Sequence, residues 1–332
     1  MKLIDKFGRK HRYLRVSLTD KCNLNCLYCN PLNPYISNLK KSSLLNYNEI
    51  IRLITLFIKD LEFDKVRLTG GEPFVRKEIE NLIYKINLLK QNHKFELTIT
   101  TNGTLLNGNI SHLLKTGLDR INFSLDSLDP LNFQKITGYD KLYKVINAIE
   151  DYEKHRNQTT KINTVILKNI NDSEILDFIE FVKNKNRNVR FIEYMPFSGN
   201  SFADNKFISY KEIKRIVDKK YKLIPLTNVL GGVAKNFKID GYSGRVSFIS
   251  SISDNFCADC QRLRITATGK LKNCIFSSAD RDLDLKELLR NGFSDSEIID
   301  AIINNVQEKQ FIHPELNELK ILKNNNMFSI GG

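Results

Sequence analysis

The chain is predicted to be an α/β protein. Residues 1–196 read as an incomplete (β/α)6 barrel of the TIM type, and residues 197–332 as an α+β module. Three observations predict this. Six apolar, β-branched runs alternate with stretches of helical periodicity through the first two thirds of the chain. Polar and glycine-rich residues follow the runs, where strand C-termini fall. The alternation stops near residue 200. Strands alternating with helices build parallel sheets from βα units, and six units are too few to close an eight-stranded barrel.

Each element has its own signal. The strand runs are RYLRVSLT (12–19), KVRLTGG (65–71), FELTITTNG (95–103), DRINFSLD (119–126), KINTVILK (161–168) and NVRFIEYMP (188–196). Helices are predicted over 48–61, 78–91, 106–116, 140–154 and 172–185. In the first of these, Ile50, Ile51, Ile54, Leu56, Phe57, Ile58 and Leu61 crowd the core side. Asn171 and Asp172 read as caps of the last. Beyond residue 200, a helix is predicted at 209–220. Short strands follow at 223–227, 236–239, 245–250, 264–268 and 271–275, then helices at 283–291 and 295–308.

Ligands in such folds sit at the C-terminal ends of the strands. Here those ends carry Thr69-Gly70-Gly71-Glu72-Pro73, Thr100-Thr101-Asn102-Gly103, Ser124-Leu125-Asp126-Ser127 and Glu193-Tyr194-Met195-Pro196. Any one is an ordinary βα turn, but four on one rim predict a ligand mouth.

With 41% hydrophobic and 27% charged residues, the chain can bury a core, which excludes wholesale disorder. No apolar run reaches membrane-spanning length and no signal-peptide stretch opens the chain, so a cytoplasmic protein is expected. The net charge of +13 comes mostly from lysine and reads first as a lysine-coated surface.

Six cysteines fall as two triplets, Cys22, Cys26 and Cys29, then Cys257, Cys260 and Cys274. Disulfides are not expected of a cytosolic chain. The first triplet, C-x3-C-x2-C, has no fourth Cys or His close after it, whereas structural zinc sites take four ligands. Three thiolates suit a 4Fe–4S cluster with one iron open to another ligand. The second triplet, C-x2-C-x13-C, reads the same way, with zinc completed by water or by His313 as the alternative. Beside it, Arg262 and Arg264 share one strand face. They form either a phosphate-binding pair or an exposed basic strand.

The first triplet, with Tyr28 before its third cysteine, resembles the radical S-adenosylmethionine (SAM) superfamily, as does Gly70-Gly71-Glu72-Pro73. FCADCQRLRITATGKLKNCIF, RLTGGEP, TTNG, SLDSLDPLNFQKITG, KINTVI and the terminal Gly-Gly narrow the resemblance to the GTP 3′,8-cyclases. The resemblance runs from RYLRVSLTDKCN to Gly332. It implies a radical SAM barrel whose C-terminal extension carries a second iron–sulfur site. The implied cofactors are two 4Fe–4S clusters and SAM. The implied SAM contacts are Tyr28, Gly71, Ser124 and Met195. The implied reaction is a lyase step, in which a 5′-deoxyadenosyl radical takes the ribose C3′ hydrogen of GTP and the C3′ radical attacks C8. The product, (8S)-3′,8-cyclo-7,8-dihydroguanosine 5′-triphosphate, would feed a cyclic pyranopterin monophosphate synthase in molybdenum cofactor biosynthesis. A homodimer is common in the family, and the electron donor is not read from the sequence.

A bound triphosphate would need several cations. Arg15, Arg67, Lys161, Arg190, Arg262 and Arg264 fall on predicted strands and are expected to face it. Thr98 and Thr100 share a face, one expected to meet GTP and the other SAM. The catalytic set implied by the resemblance is Arg262, Arg264, Gly331 and Gly332. The tail NNNMFSIGG would otherwise read as disordered. Departures from the family pattern are Asn30, Leu24, Asn25 and Gln261. None removes a cysteine or a cation. Two other readings stay open: another radical SAM enzyme with an auxiliary cluster, such as a peptide maturase, and a basic zinc- or nucleic-acid-binding protein.

Overall fold

The computed structural model describes residues 1–29, 41–106, 108–197, 200, 202–227, 231–322 and 327–331. The expected positions Asn30 and Gly332 lie outside them.

A short antiparallel hairpin, β1 (Leu3–Ile4) and β2 (Lys10–His11), opens the chain. Then follow β3 (Tyr13–Ser17), α1 (Tyr47–Thr55), β4 (Lys65–Thr69), α2 (Ile79–Leu88), β5 (Glu96–Thr101), α3 (Ile110–Lys115) and β6 (Arg120–Ser124). After β6 come α4 (Pro130–Thr137), α5 (Leu142–His155), β7 (Thr160–Ile166), α6 (Ile175–Glu180) and β8 (Arg187–Glu193). The remainder is α7 (Tyr210–Asp218), β9 (Leu223–Pro225), β10 (Lys235–Ile239), β11 (Arg245–Ile249), β12 (Arg262–Ile265), β13 (Lys270–Lys272), β14 (Leu283–Asp284), α8 (Leu285–Arg290), α9 (Asp295–Gln307), α10 (Leu316–Ile321) and α11 (Met327–Ile330).

β3, β4, β5, β6, β7 and β8 lie side by side in chain order, all parallel. The sheet continues past both ends of this run. β12 pairs parallel with β3, and β11 pairs parallel with β8. β13 and β14 extend one edge and β10 and β9 the other. The expected division at residue 196 is therefore not a break in the sheet, because strands from beyond it lie at both edges.

Alternation along the strands separates two faces. Leu14, Val16, Val66, Leu68, Val189 and Phe191 are buried in the apolar core, while the residues between them, Arg15, Arg67 and Arg190, line a cavity. β12 and β8 lie six positions apart in the sheet. At roughly 4.8 Å per strand a flat sheet would hold them far apart, yet both line the same cavity, so the sheet curls around it.

Two local readings change. The segment 130–137 is helical, although no helix is expected there from the sequence. Asp129 caps it by accepting from Asn132 N–H, Pro130 opens it, and Gly138 ends it in the left-handed region. Asn171 stands at the cap position of the turn at 172–174 but makes no side-chain cap bond there. Its side chain accepts from Leu167 N–H and donates to the carbonyls of Asp126 and Val165, at 2.7, 2.7 and 2.9 Å. The apolar surroundings reward that internal clamp more than an exposed cap.

Candidate active site

The first cysteine triplet lies on the loop after β3, and two elements fix that loop. Asn25 and Leu27 N–H donate to the carbonyls of Thr137 and Ile136 at the end of α4, at 2.8 and 2.9 Å. On the other side, Gly71 N–H donates to Thr19 O at 2.7 Å and Glu72 N–H to Lys21 O at 2.8 Å. A Cβ on Gly70 would sit 2.6 Å from Thr19 O, and one on Gly71 would overlap Lys21 O. The glycines therefore let the turn after β4 press against the backbone leading into Cys22. Glu72 is buried beneath, accepting from Thr101 Oγ1 at 2.8 Å and Asn102 N–H at 2.7 Å. Burial outweighs those bonds and raises its pKa to about 7.

Tyr28 donates to Asp126 Oδ2 at 2.7 Å. Asp126 also accepts from Val165 N–H, and burial lifts its pKa to about 6. Burial, with Asp126, Glu72 and the other cysteines nearby, pushes Cys22 up to about 11, Cys29 up to about 12, and Cys26 well up. A metal centre of positive charge inverts this preference and holds thiolates. Ser124 ends β6, half-buried, opposite Asn163.

The cavity, about 540 Å³, lies within the range of small-molecule sites. Arg15 of β3, Arg67 of β4, Lys161 of β7, Arg190 of β8, and Arg262 and Arg264 of β12 all line it. Cys257, Cys260, Cys274, Thr100 and Met195 line it too. Thr98 does not. It is fully buried and donates to Val66 O at 3.2 Å, whereas Thr100 Oγ1 accepts from Arg67 Nη1 at 3.0 Å. Tyr28, Gly71 and Ser124, with the first cysteines, are not among its lining residues.

The electrostatics of the cavity call for an anion. Burial, then neighbouring cations, lower Lys161 to about 7, Arg190 to about 9 and Arg264 to about 10. Tyr13 sits among them, its hydroxyl beside Arg67 Nε and its ring 5.2 Å from the Arg262 guanidinium carbon. Burial would raise the Tyr13 pKa, but Arg67, Arg15, Arg262 and Lys65 together bring it down to about 6. Nε of Arg190 and Nε of Arg262 are buried with no hydrogen-bond acceptor among the described residues. A phosphate chain supplies such acceptors.

The tail reaches the same place. Ile330 packs with Phe197, Phe276 and Leu319 in a second apolar cluster, against which Met195 and Cys274 also lie. Gly331 is buried at φ +78° beside Ser17 and Thr69, and its carbonyl accepts from Arg264 Nη1 at 2.8 Å.

Sequence reasoning missed Lys65 and Tyr13, which line the cavity. The signal was alternation, since each lies two residues before an expected arginine, on the same face. It also missed Lys309, whose Nζ lies 3.8 Å from Cys260 Sγ. Nothing local in EKQFIHP marks that lysine.

None of the six cysteines forms a disulfide. Among the described residues, no three His, Cys, Asp or Glu side chains come together as ligands of one metal ion. A 4Fe–4S cluster spreads three thiolates over three irons, and the donor chemistry of each triplet fits it. At the second triplet, burial raises Cys257 to about 11. Cys260 is held below its ordinary value because Lys309, Arg262 and Arg9 outweigh its burial.

The chain matches the Radical SAM superfamily over residues 16–182 and Molybdenum Cofactor Synthesis C over residues 187–314. It is 38% identical to the GTP 3′,8-cyclase of Syntrophomonas wolfei, over 99% of this chain and 100% of that one. It is 41% identical to the mitochondrial GTP 3′,8-cyclase of Arabidopsis thaliana, over 99% of this chain and 83% of that one. Molybdenum cofactor biosynthesis protein 1 of Dictyostelium discoideum is 39% identical over 99% of this chain, which spans only 52% of that longer protein. In structure the chain resembles SuiB of Streptococcus suis, solved bound to S-adenosylmethionine, with a TM-score of 0.62 at 16% identity over 91% of this chain and 69% of that one. The fold is thus a radical SAM barrel, and no helix among the described residues is long and apolar enough to cross a membrane. Matched along nearly its whole length by relatives that it covers wholly or for the most part, the chain belongs to the GTP 3′,8-cyclase family of radical SAM proteins.

Proposed function

We propose that the chain is a radical SAM GTP 3′,8-cyclase, a lyase converting GTP to (8S)-3′,8-cyclo-7,8-dihydroguanosine 5′-triphosphate in the first step of molybdenum cofactor biosynthesis. The observation that carries this reading is the cavity in which six cations from five strands face a space also lined by Cys257, Cys260 and Cys274. A nucleoside triphosphate has the charge to satisfy that ring and a purine to meet the second cysteine site.

Cys22, Cys26 and Cys29 would hold the first 4Fe–4S cluster, and Cys257, Cys260 and Cys274 the second. With SAM bound, that first cluster would supply the reducing electron for radical chemistry at the ribose C3′ hydrogen. Tyr28, Gly71, Ser124 and Met195 are assigned to SAM. Tyr28 would act by fixing the loop through Asp126, and Gly71 by leaving its backbone open to close approach. Arg15, Arg67, Thr100, Lys161, Arg190, Arg262 and Arg264 are assigned to GTP. Thr98 is assigned there only indirectly, through its support of β4. Arg264 and Gly331 would close the site over the reactants and keep water from the radical; Gly332 is assigned to the same catalytic set on resemblance alone. The product would pass to a cyclic pyranopterin monophosphate synthase. A cytoplasmic location, read from the sequence, and a homodimer, common in the family, are further parts of this proposal.

The test is anaerobic turnover of reconstituted protein with SAM, a strong reductant and GTP deuterated at C3′. Mass spectrometry should find deuterium in 5′-deoxyadenosine. Unlabelled 5′-deoxyadenosine without GTP consumption would keep the radical chemistry and overturn the substrate. In C257A/C260A/C274A, iron should fall by about half and cyclisation should vanish while SAM binding survives. Unchanged cyclisation there would overturn the role of the second site.

A further inference from the structure

Lys309 follows α9 and is 3% exposed. A buried ammonium needs a compensating negative charge. The other buried lysine among the described residues, Lys272, has one in Asp282 at 2.9 Å. Among the described residues, Lys309 Nζ has two partners, the Arg262 carbonyl oxygen at 2.9 Å and the Cys260 sulfur at 3.8 Å. The buried acid of the neighbouring hairpin, Asp5, is already engaged by Arg9 Nε at 2.6 Å and His11 Nε2 at 3.1 Å. The counter-charge of Lys309 is therefore the thiolate site itself.

The position is held from several sides. Arg9 donates to Cys257 O at 2.8 Å, to Phe311 O at 2.9 Å and to Gln310 O at 2.8 Å. One guanidinium thus ties the cysteine loop to the segment carrying Lys309. At the first triplet, by contrast, the donors to the Cys22 sulfur among the described residues are neutral, Leu24 N–H at 3.4 Å and Asn102 Nδ2 at 3.9 Å.

We propose that Lys309 is a fixed positive charge on the second cysteine site, where its ammonium donates to the Cys260 sulfur and raises the reduction potential of the cluster held there. This rests on reading Cys257, Cys260 and Cys274 as ligands of an iron–sulfur cluster. Hydrogen bonds to cluster sulfurs and nearby positive charge favour the reduced form, which carries one more negative charge. Lys309 acts through Cys260 and is a positioning residue, not a catalytic one.

The test is an anaerobic redox titration followed by electron paramagnetic resonance on the full reconstituted chain. C22A/C26A/C29A, which retains only the second site, assigns the signals. In K309M, the equilibrium constant for one-electron reduction of the second cluster should fall at least tenfold, a potential lower by about 59 mV or more. The first cluster should be unmoved, and K309R should recover most of the shift. Superimposable titrations of K309M and the unsubstituted protein would overturn the proposal. Should K309M fail to retain the second cluster, the unsubstituted protein labelled with [15Nζ]lysine decides. Hyperfine coupling from a lysine nitrogen to the second cluster supports the proposal, and its absence overturns it. A C22A/C26A/C29A protein without any cluster signal would instead overturn the cluster reading, and the Lys309 proposal with it.

Discussion

Lys161, which lines the cavity, offers a quantitative handle on the proposed GTP binding. Its pKa is lowered to about 7 by burial first, and then by Arg120, Arg190, Lys65 and Arg67. A bound triphosphate reverses the sign of the local field, so the lysine must be charged in the complex. Below pH 7 it already carries that proton. Above pH 7 binding must take one up, and affinity falls as pH rises. With a pKa of 7, the charged fraction drops from about 0.24 at pH 7.5 to about 0.03 at pH 8.5. That is roughly an eightfold loss of affinity, about 1.2 kcal/mol. K161R keeps its charge across this window. Tyr13, brought down to about 6, faces the same cavity in both proteins, so its contribution cancels in the comparison. The assay is anaerobic calorimetry of GTP binding to the cluster-loaded protein, in buffers of different ionisation enthalpy. The expected result is a dissociation constant that rises roughly eightfold more for the unsubstituted protein than for K161R, with about one extra proton taken up. Equal pH slopes for the two proteins would refute the reasoning.

Three further outcomes follow from local geometry. In G331A the new Cβ would overlap Thr69 Oγ1 at a residue with φ +78°. Left-handed strain and loss of the Arg264 contact together cost about 3 kcal/mol, so cyclisation should fall roughly 100-fold with iron content unchanged. In G71A the new Cβ meets the backbone of Asp20 and Lys21, which cannot swing aside. About half the iron should be lost, with SAM binding, and equilibrium dialysis with iron analysis checks both. Lys272 and Asp282 form an ion pair with side chains 0% and 1% exposed. K272M removes the cation facing the buried carboxylate and should cost about 3–5 kcal/mol, seen as a lower urea midpoint, while K272M/D282L recovers most of it.

The strands of the barrel were legible because alternation in a parallel sheet leaves a plain signature, as in Tyr13-Leu14-Arg15-Val16, where apolar residues turn to the helices and polar ones to the cavity. The six cations were legible for the same reason. Helix α4 was overlooked although Asp129-Pro130 and Gly138 are start and stop signals, because the helix is short and follows β6 with no long apolar period. It matters, since its last carbonyls accept from Asn25 and Leu27 and so hold the loop that carries Cys22, Cys26 and Cys29. The seating of Gly331 was not readable from composition, because what orders the tail is Ile330 in a cluster with Phe197 and Phe276, far away in sequence. Lys309 was hidden for a similar reason. Its partners, Cys260 and Arg262, come to it only through the fold.

The pairing of β12 with β3 bears on how the chain is made. β3 leaves the ribosome early, and the strand that covers its edge follows about 250 residues later, which at 5–20 residues per second is roughly 10–50 s. Until then a half-built sheet offers an open edge of apolar strand, the form most prone to pairing with other nascent chains. The strand that ends this interval carries Cys257 and Cys260 just ahead of it. Closing the sheet and bringing Cys257 and Cys260 to the cavity are thus one late event.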